Sequence, residues 1–217
     1  MEWDWQYSGD ILPDLLDGLR YTVIATLLGY VVALVLGLVW TLLRRSPSRV
    51  FNETIRWITE FIRSTPLIPQ LYFVFFVLPA WGLTIGSLTA GIITLGVHYS
   101  TYTAEVYRAG ISDIPRGQWE ACTALNLPRS RVWLDVILPQ AIRRVIPTLG
   151  NYLIAMFKDS PMLMAINVAE LLFMANKVGS QTLQFLEPMT MVGLLFVIVS
   201  VISSILVRRL ERRYATT

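Results

Sequence analysis

The stretch Arg116-Gly117-Gln118-Trp119-Glu120-Ala121-Cys122-Thr123-Ala124-Leu125-Asn126-Leu127-Pro128-Arg129-Ser130-Arg131-Val132-Trp133-Leu134-Asp135-Val136-Ile137-Leu138-Pro139 decides how the rest of the chain is read. It is a mostly polar, arginine-containing island between long apolar runs. Behind Pro115, residues 118–125 are good helix formers; Asn126 suits a C-cap and Pro128 bars continuation. The spacing predicts a second short helix over 130–137, leading into Leu138-Pro139. By composition alone the island fits an ordinary helix-turn-helix loop as well as it fits a docking element.

Its surroundings point to a membrane. Of 217 residues only 15% are charged and 54% are hydrophobic, and charges are missing from stretches of about 20 residues, the length that crosses a bilayer as a helix. Residues 21–43 carry no charge and end at Arg44-Arg45. Between Arg63 and Glu105 lie 41 residues without Asp, Glu, Lys or Arg, too many for one span and enough for two; Pro79, Gly82 and Gly86 mark the turn between 66–81 and 87–107. Pro66 and Pro69 open the second span, where a missing N–H costs least. Residues 137–164 read as one imperfect span, with a short re-entrant or outer-surface helix over 166–174, and 188–207 is the last span before Arg208-Arg209. Residues 10–17 read as a short interfacial helix with an acidic face. Phe51, Ile55, Ile58 and Phe61 give an amphipathic stretch at the inner surface. The expectation is a single-domain, all-α integral membrane protein of five spans, in contact with lipid.

Charge sets the orientation. With the N-terminus outside, the inner segments hold fifteen of the sixteen arginines against seven acids, a balance of +8; the outer segments come to −5, and the total is the +3 of the chain. Lysine and arginine collect on the cytoplasmic side, so an outside N-terminus and a cytoplasmic C-terminus are expected, with the island in the cytoplasm. Trp3, Trp5 and Trp81 fall near the outer interface and Trp40, Trp57, Trp119 and Trp133 near the inner one. The start, Met1-Glu2-Trp3-Asp4-Trp5, lacks the positive n-region of a cleaved signal peptide, so the first span is expected to stay in the mature protein. One cysteine excludes an internal disulfide, and one histidine with it makes no dedicated metal site. The arginines flank spans rather than cover a soluble face, which argues against nucleic-acid binding.

The order Glu120-Ala121-Cys122, three residues, Asn126, nine residues, Val136-Ile137-Leu138-Pro139 resembles the cytoplasmic loop of permease subunits of binding-protein-dependent ABC importers. The family pattern is Glu-Ala-Ala, three residues, Gly, nine residues, Ile, one residue, Leu-Pro. Cys122, Asn126 and Val136 depart from it, and Asn is the non-glycine residue best suited to a left-handed C-cap. Phe61-Ile62-Arg63-Ser64-Thr65-Pro66-Leu67, Ala104-Glu105-Val106-Tyr107-Arg108-Ala109-Gly110-Ile111, and Gly150-Asn151-Tyr152 through Lys158-Asp159 are similar to the polar amino-acid branch. His98-Tyr99-Ser100-Thr101-Tyr102-Thr103 and Ala124-Leu125-Asn126-Leu127 are similar to ectoine/hydroxyectoine importer permeases.

The resemblance implies a five-span type I ABC importer transmembrane core in the inner membrane and no enzymatic activity of its own. It also implies a second permease subunit (identical or homologous), ABC ATPase subunits and an extracytoplasmic solute-binding protein. Its coupling helix would sit in a groove of the ATPase through Arg116, Gly117, Glu120, Ala121, Cys122, Ala124 and Asn126. The chain holds no Gly-x-x-x-x-Gly-Lys-Ser/Thr, so ATP would be hydrolysed by the separate subunit and no cofactor is expected here.

Two groups of residues are candidates for the solute path. Thr94, His98, Thr101-Tyr102 and Glu105 recur at helical spacing as one polar stripe, which must face the bundle interior or a water-filled cavity. The stripe either lines the path or bonds neighbouring helices. Lys158-Asp159 is the other intramembrane anomaly. The two residues neutralise each other, pair with other helices or stand at the outer mouth, and Asp159 is placed to meet a cationic solute; Gly150-Asn151 would allow close approach and a hydrogen bond across it. Arg131 and Asp135 are spaced for a surface i, i+4 pair. Physics without the resemblance leaves a second reading, half of a secondary transporter or a small channel in which His98 or Lys158-Asp159 senses ions.

Overall fold

The computed structural model describes residues 3–214, and among them every regular element is helical. Met1 and Glu2 of the acidic start, and the side chain of Glu211 in the charge balance, lie outside that description. Asp4 caps the first helix, its Oδ1 accepting from the Gln6 and Tyr7 amides at 2.9 and 3.0 Å. Helix α1 then runs unbroken over Trp5–Leu43, so the separate interfacial helix expected at 10–17 is part of the first rod. The reason is one continuous buried stripe. Ile11, Leu15, Gly18 and Thr22 pass straight into Ala25, Gly29, Ala33 and Gly37, while Pro13 lies exposed off that face.

From Ala25 onward the stripe is made of small residues because α1 packs closely there on α4 (Ser87–Ser112). A Cβ on Gly37 would collide with the Thr103 hydroxyl. Thr103 Oγ1 donates to the Ala33 carbonyl at 2.7 Å and Trp40 Nε1 to Ser100 Oγ at 2.9 Å. Lipid offers no hydrophobic drive between helices, so close approach and interhelical hydrogen bonds of this kind hold the pair together.

Ser48 caps α2 (Arg49–Ser64), which buries only Ile55 and Thr59 and leaves Phe51, Trp57 and Phe61 exposed. The chain bends by 105° into the helical arm Leu67–Trp81. That arm starts as α3 (Leu67–Tyr72), widens over Phe73–Val77, where the Leu78 N–H reaches the Phe73 carbonyl, and tightens over Leu78–Trp81. Pro79 explains the widening: in a regular helix its ring would meet the carbonyl four residues back, and it has no N–H to give. Gly82, at φ 85°, turns the chain towards α4, which outlasts its expected end at 107.

After α5 (Arg116–Ala124) the chain enters α6 (Arg129–Arg131), a second wide turn over Val132–Ile137, and α7 (Leu138–Asp159). No break separates the expected short helix at 130–137 from the next span, since helical structure is continuous from Arg129. Pro139 sits after this wide turn as Pro79 does after the first. Arg131 and Asp135 form no ion pair here, because the wide turn moves them off the i, i+4 register. The regular helix ends at Asp159, not 164. Tight turns over Ser160–Ile166 and a left-handed Asn167 (φ 59°) follow. The helix expected at 166–174 is α8, Leu171–Thr182, capped by the buried Glu170 carboxylate at 2.9 Å from the Leu172 amide and 2.7 Å from that of Phe173. Last comes α9, Leu186–Tyr214.

The core lies where α1, α3, α4 and α7 meet, around Leu71, Leu95, Tyr99, Met156 and Leu163. Outside it the molecule is greasy: Leu28, Val31 and Val35 of α1 and Leu194, Val197 and Ile198 of α9 are about half exposed. Such belts suit hydrocarbon rather than water. Among the described residues, two helices are long and apolar enough to cross a membrane, and up to four if each bent pair counts as one. Helix α4 is outside that set because its Thr, Ser, His and Tyr side chains lower its hydropathy, and many of these are the residues it buries.

Candidate functional site

The island folds as a small exposed helix on a satellite core. Trp119 and Trp133 pack edge to face with centroids 5.4 Å apart, beside the buried Ile114, Ile137 and Ala141. The end of α5 is built by backbone: the Leu127 N–H reaches the Cys122 carbonyl at 3.1 Å and the Asn126 N–H that of Thr123 at 3.0 Å, with Asn126 left-handed at φ 50°. This is the paired closure usually completed by glycine at that position, which accounts for an asparagine there. Arg116, Gly117, Glu120, Ala121, Ala124 and Asn126 are all exposed on this helix and its cap, available to a partner surface. Cys122 is not. It is 4% exposed and points into the loop's own core, so it supports the helix from behind.

The second site lies between α4 and α7. Asp159, the last residue of α7, accepts from the Tyr99 hydroxyl at 2.6 Å. The Tyr102 and Tyr152 rings pack against that of Tyr99, their centroids 5.6 Å apart and 5.7 and 6.1 Å from the Tyr99 centroid. His98 packs at 5.6 Å from the Tyr99 ring and 5.5 Å from the Tyr102 ring. Its Nδ1 lies 3.3 Å from Gln70 Oε1. Gln70 is itself fixed, its Nε2 donating to the Ile62 and Thr65 carbonyls at 2.7 and 3.0 Å. An amide oxygen only accepts, so Nδ1 of His98 carries the hydrogen. Among the described residues, Asp159 Oδ1 and the hydroxyls of Tyr102 and Tyr152 have no protein hydrogen-bond partner, and all three side chains are half-buried. The arrangement therefore offers a carboxylate oxygen and two phenols beside aromatic faces, a set suited to an organic cation carrying N–H donors.

The polar stripe expected on α4 divides between different tasks. His98 and Tyr102 join this cluster. Thr101 turns back to the His98 carbonyl at 2.8 Å, and Thr94 is buried with its hydroxyl unpartnered. Glu105, two turns further along, ties helices together. It binds Arg44 of the α1 terminus and Arg108, each at 2.6 Å, with Arg63 of α2 at 4.0 Å. Lys158 and Asp159 do not pair: Lys158 is exposed and Asp159 turns inward to Tyr99. Gly150 does allow close approach, since a Cβ there would strike Val207 of α9, but Asn151 is exposed and makes no hydrogen bond across that contact. Gln70, Tyr99 and Tyr152 were missed as site residues. The signal was present in Tyr99 and Tyr102 at i, i+3 and in Tyr152 and Asp159 at i, i+7, spacings that share a helix face.

The family described as binding-protein-dependent transport system inner membrane component matches residues 29–216. A probable amino-acid ABC transporter permease protein of Sinorhizobium fredii (strain NBRC 101917 / NGR234) is 46% identical over 202 residues, covering 93% of this chain and 87% of that one. The glutamine transport system permease protein of Escherichia coli (strain K12) is 34% identical over 215 residues, covering 98% of each. The crystal structure of an amino acid ABC transporter with histidines superposes with a TM-score of 0.92 at 31% identity, covering 98% of this chain and 100% of that chain. The long loop motif, the helical architecture and these likenesses agree: the chain belongs to the inner membrane component family of binding-protein-dependent transport systems, the multi-pass permease subunits of ABC importers, which transport and are not enzymes.

Proposed function

We propose that this permease admits a small zwitterionic solute, a polar amino acid or the cyclic amino-acid derivative ectoine or hydroxyectoine, into the cytoplasm by alternating access. The observation that carries the reading is Asp159, held by Tyr99 at 2.6 Å, whose ring packs against those of Tyr102 and Tyr152 with their partnerless hydroxyls. A carboxylate among tyrosines recognises the cationic end that all these solutes share, an ammonium in one class and an amidinium in the other. His98 keeps its Nε2 for a second contact. The relatives named as amino-acid or glutamine permeases support the amino-acid class.

In this reading five segments, 21–43, 66–81, 87–107, 137–164 and 188–207, span the membrane with the N-terminus outside and the C-terminus inside. The exposed face of α5, with Glu120 and Arg116, meets an ATPase subunit. A second permease subunit completes the pore, and an extracytoplasmic binding protein delivers the solute. Closure of the ATPases moves α5 and switches the pore between its two openings.

Reconstitution with the ATPase and binding protein tests the reading. Uptake should require ATP, should persist in the presence of an ionophore, and should stimulate ATP hydrolysis. A panel of radiolabelled polar amino acids, ectoine and hydroxyectoine then sorts the solute. Uptake abolished by the ionophore without any need for ATP refutes the importer mechanism, and transport confined to anionic or uncharged solutes refutes the role given to Asp159.

A further inference from the structure

Two cavities meet where the ends of α1 and α4 approach the start of α7. The smaller, about 130 Å³, is polar and is lined by Arg44, Arg45 and Arg108 with the hydroxyl-bearing Thr41 and Ser112. The larger, about 660 Å³, is almost wholly apolar, its walls including Leu38, Leu42, Leu138, Ile142 and Val145. They adjoin, with Thr41, Arg45 and Ile111 in the walls of both. Leu38, Leu42 and Ile142 are half or more exposed, so the groove opens sideways along the greasy face of the molecule.

The charges at its head are unbalanced. Arg44 and Arg108 share Glu105, and the further guanidinium of Arg63 lies 4.0 Å from the same carboxylate and also pairs with Glu60. Among the described residues, the Arg45 guanidinium has no carboxylate within ion-pair distance and no hydrogen-bond acceptor. Its guanidinium instead lies over the Trp133 ring, 4.3 Å from the centroid. Stacking occupies the flat face and leaves the N–H edge for a bidentate acceptor such as phosphate.

We propose that this cleft is a binding site for an anionic phospholipid. The headgroup phosphate sits on Arg45, flanked by Arg44 and Arg108, and an acyl chain lies along the apolar groove. Cationic head and apolar floor follow one another in the order in which a phospholipid presents phosphate and chain. A soluble ATPase has no apolar segment to fill such a groove at membrane depth, and lipid supplies both parts at once. The assignment rests on the topology proposed above, which puts the Arg44-Arg45 end of α1 at the cytoplasmic leaflet, where anionic headgroups attract clustered basic residues. Because Trp133 packs on Trp119 of α5, a lipid held on Arg45 also braces that helix.

The test is native mass spectrometry of the full-length permease complex, delipidated and titrated with phosphatidylglycerol or phosphatidylcholine of the same chains. Wild type should retain phosphatidylglycerol at least tenfold more tightly. Arg45→Gln should erase that preference, and Ile142→Trp, which fills the groove with an apolar ring, should weaken both lipids about tenfold with Arg45 intact. Equal retention of the two lipids by wild type overturns the proposal, as does a preference that survives both variants. It is overturned as well if no lipid is retained and Arg45→Gln dissociates the two permease subunits on size exclusion, for then a second copy covers the groove. Lipid retention is read without transport, so a failure of ATP-driven uptake counts against the importer reading and leaves this site standing.

Discussion

Replacing Asp159 by Asn separates charge from shape. The carboxamide has nearly the volume of the carboxylate and still accepts the Tyr99 hydroxyl, whose 2.6 Å distance marks a strong contact. What disappears is the negative charge, together with the oxygen that has no protein partner. A hydrogen bond to an ionised group contributes about 1.5–3 kcal/mol, against about 0.5–1.5 kcal/mol between neutral partners. The difference, roughly 1–2 kcal/mol, converts to about 5- to 30-fold in affinity. The measurement is equilibrium binding of radiolabelled solute to the purified permease–ATPase complex without binding protein, so that the affinity read is the permease's own. Asp159→Asn should weaken binding by that factor while the melting temperature holds within a few degrees. Tyr99→Phe, which keeps the ring and leaves the charged carboxylate to meet the solute, should weaken binding by less than about 5-fold, roughly 1 kcal/mol. Binding within twofold of wild type in Asp159→Asn refutes the argument, and so does a loss no larger than that of Tyr99→Phe.

Three further outcomes follow from the geometry. Glu120→Arg reverses a charge on the exposed face of α5 and should reduce ATP-driven uptake by at least about tenfold, the size of a lost charged interface contact, with membrane insertion unchanged; normal uptake and normal ATPase stimulation would remove α5 from the coupling role. Gly37→Val drives side-chain atoms against the Thr103 hydroxyl and should cost about 1–3 kcal/mol of stability, seen as a lower melting temperature in detergent. Asn126→Gly should hold or raise stability by up to about 1 kcal/mol and keep transport, whereas Asn126→Val, a β-branched residue at φ 50°, should lose about 1–2 kcal/mol.

Much of this was legible in the chain because membrane helices follow a coarse rule. Charge-free stretches mark helices, glycine and proline mark turns, and both the Gly82 turn and the left-handed Asn126 fall where those residues suggest. The errors share a cause. Helix 10–17 was separated from the first span because its acids look interfacial, yet burial of Ile11, Leu15 and Gly18 on the same face as Ala25 and Gly29 keeps the rod whole. Residues 160–164 read as the end of a span because they are apolar, but Pro161 and the left-handed Asn167 leave them within tight turns. At the site, ionisable residues in apolar surroundings single out His98 and Asp159 but leave open whether Asp159 meets its sequence neighbour Lys158, another helix or the outer mouth. Neighbours on a helix point about 100° apart, and the actual partner, Tyr99, comes from another helix sixty residues away. A single sequence carries no direct mark of such a pairing.

The two sites are joined by the one element that sequence spacing had cut in two. From Arg129 to Asp159 the chain is helical throughout, and 31 residues at about 1.5 Å each make a rod of roughly 45 Å. One end carries Trp133, packed on Trp119 of α5; the other ends in the carboxylate that faces Tyr99. On the coupling role proposed for α5, a push there passes through the Trp119–Trp133 contact into this rod rather than dissipating in a loop. It enters a packed helix whose compliant points are the wide turn over Val132–Ile137 and Pro147, the proline inside α7. At the wide turn, close to the push, bending moves Trp133 and leaves Asp159 in place; at Pro147 it swings the upper half of α7 and takes Asp159 from Tyr99. The Gly150 contact with Val207 pins α7 to α9 just beyond Pro147, so that swing must carry α9 with it. Alternating access in this chain is then expected to show α7 and α9 moving as a pair against α1 and α4, whose seam of small residues and hydrogen bonds is the most tightly closed in the molecule.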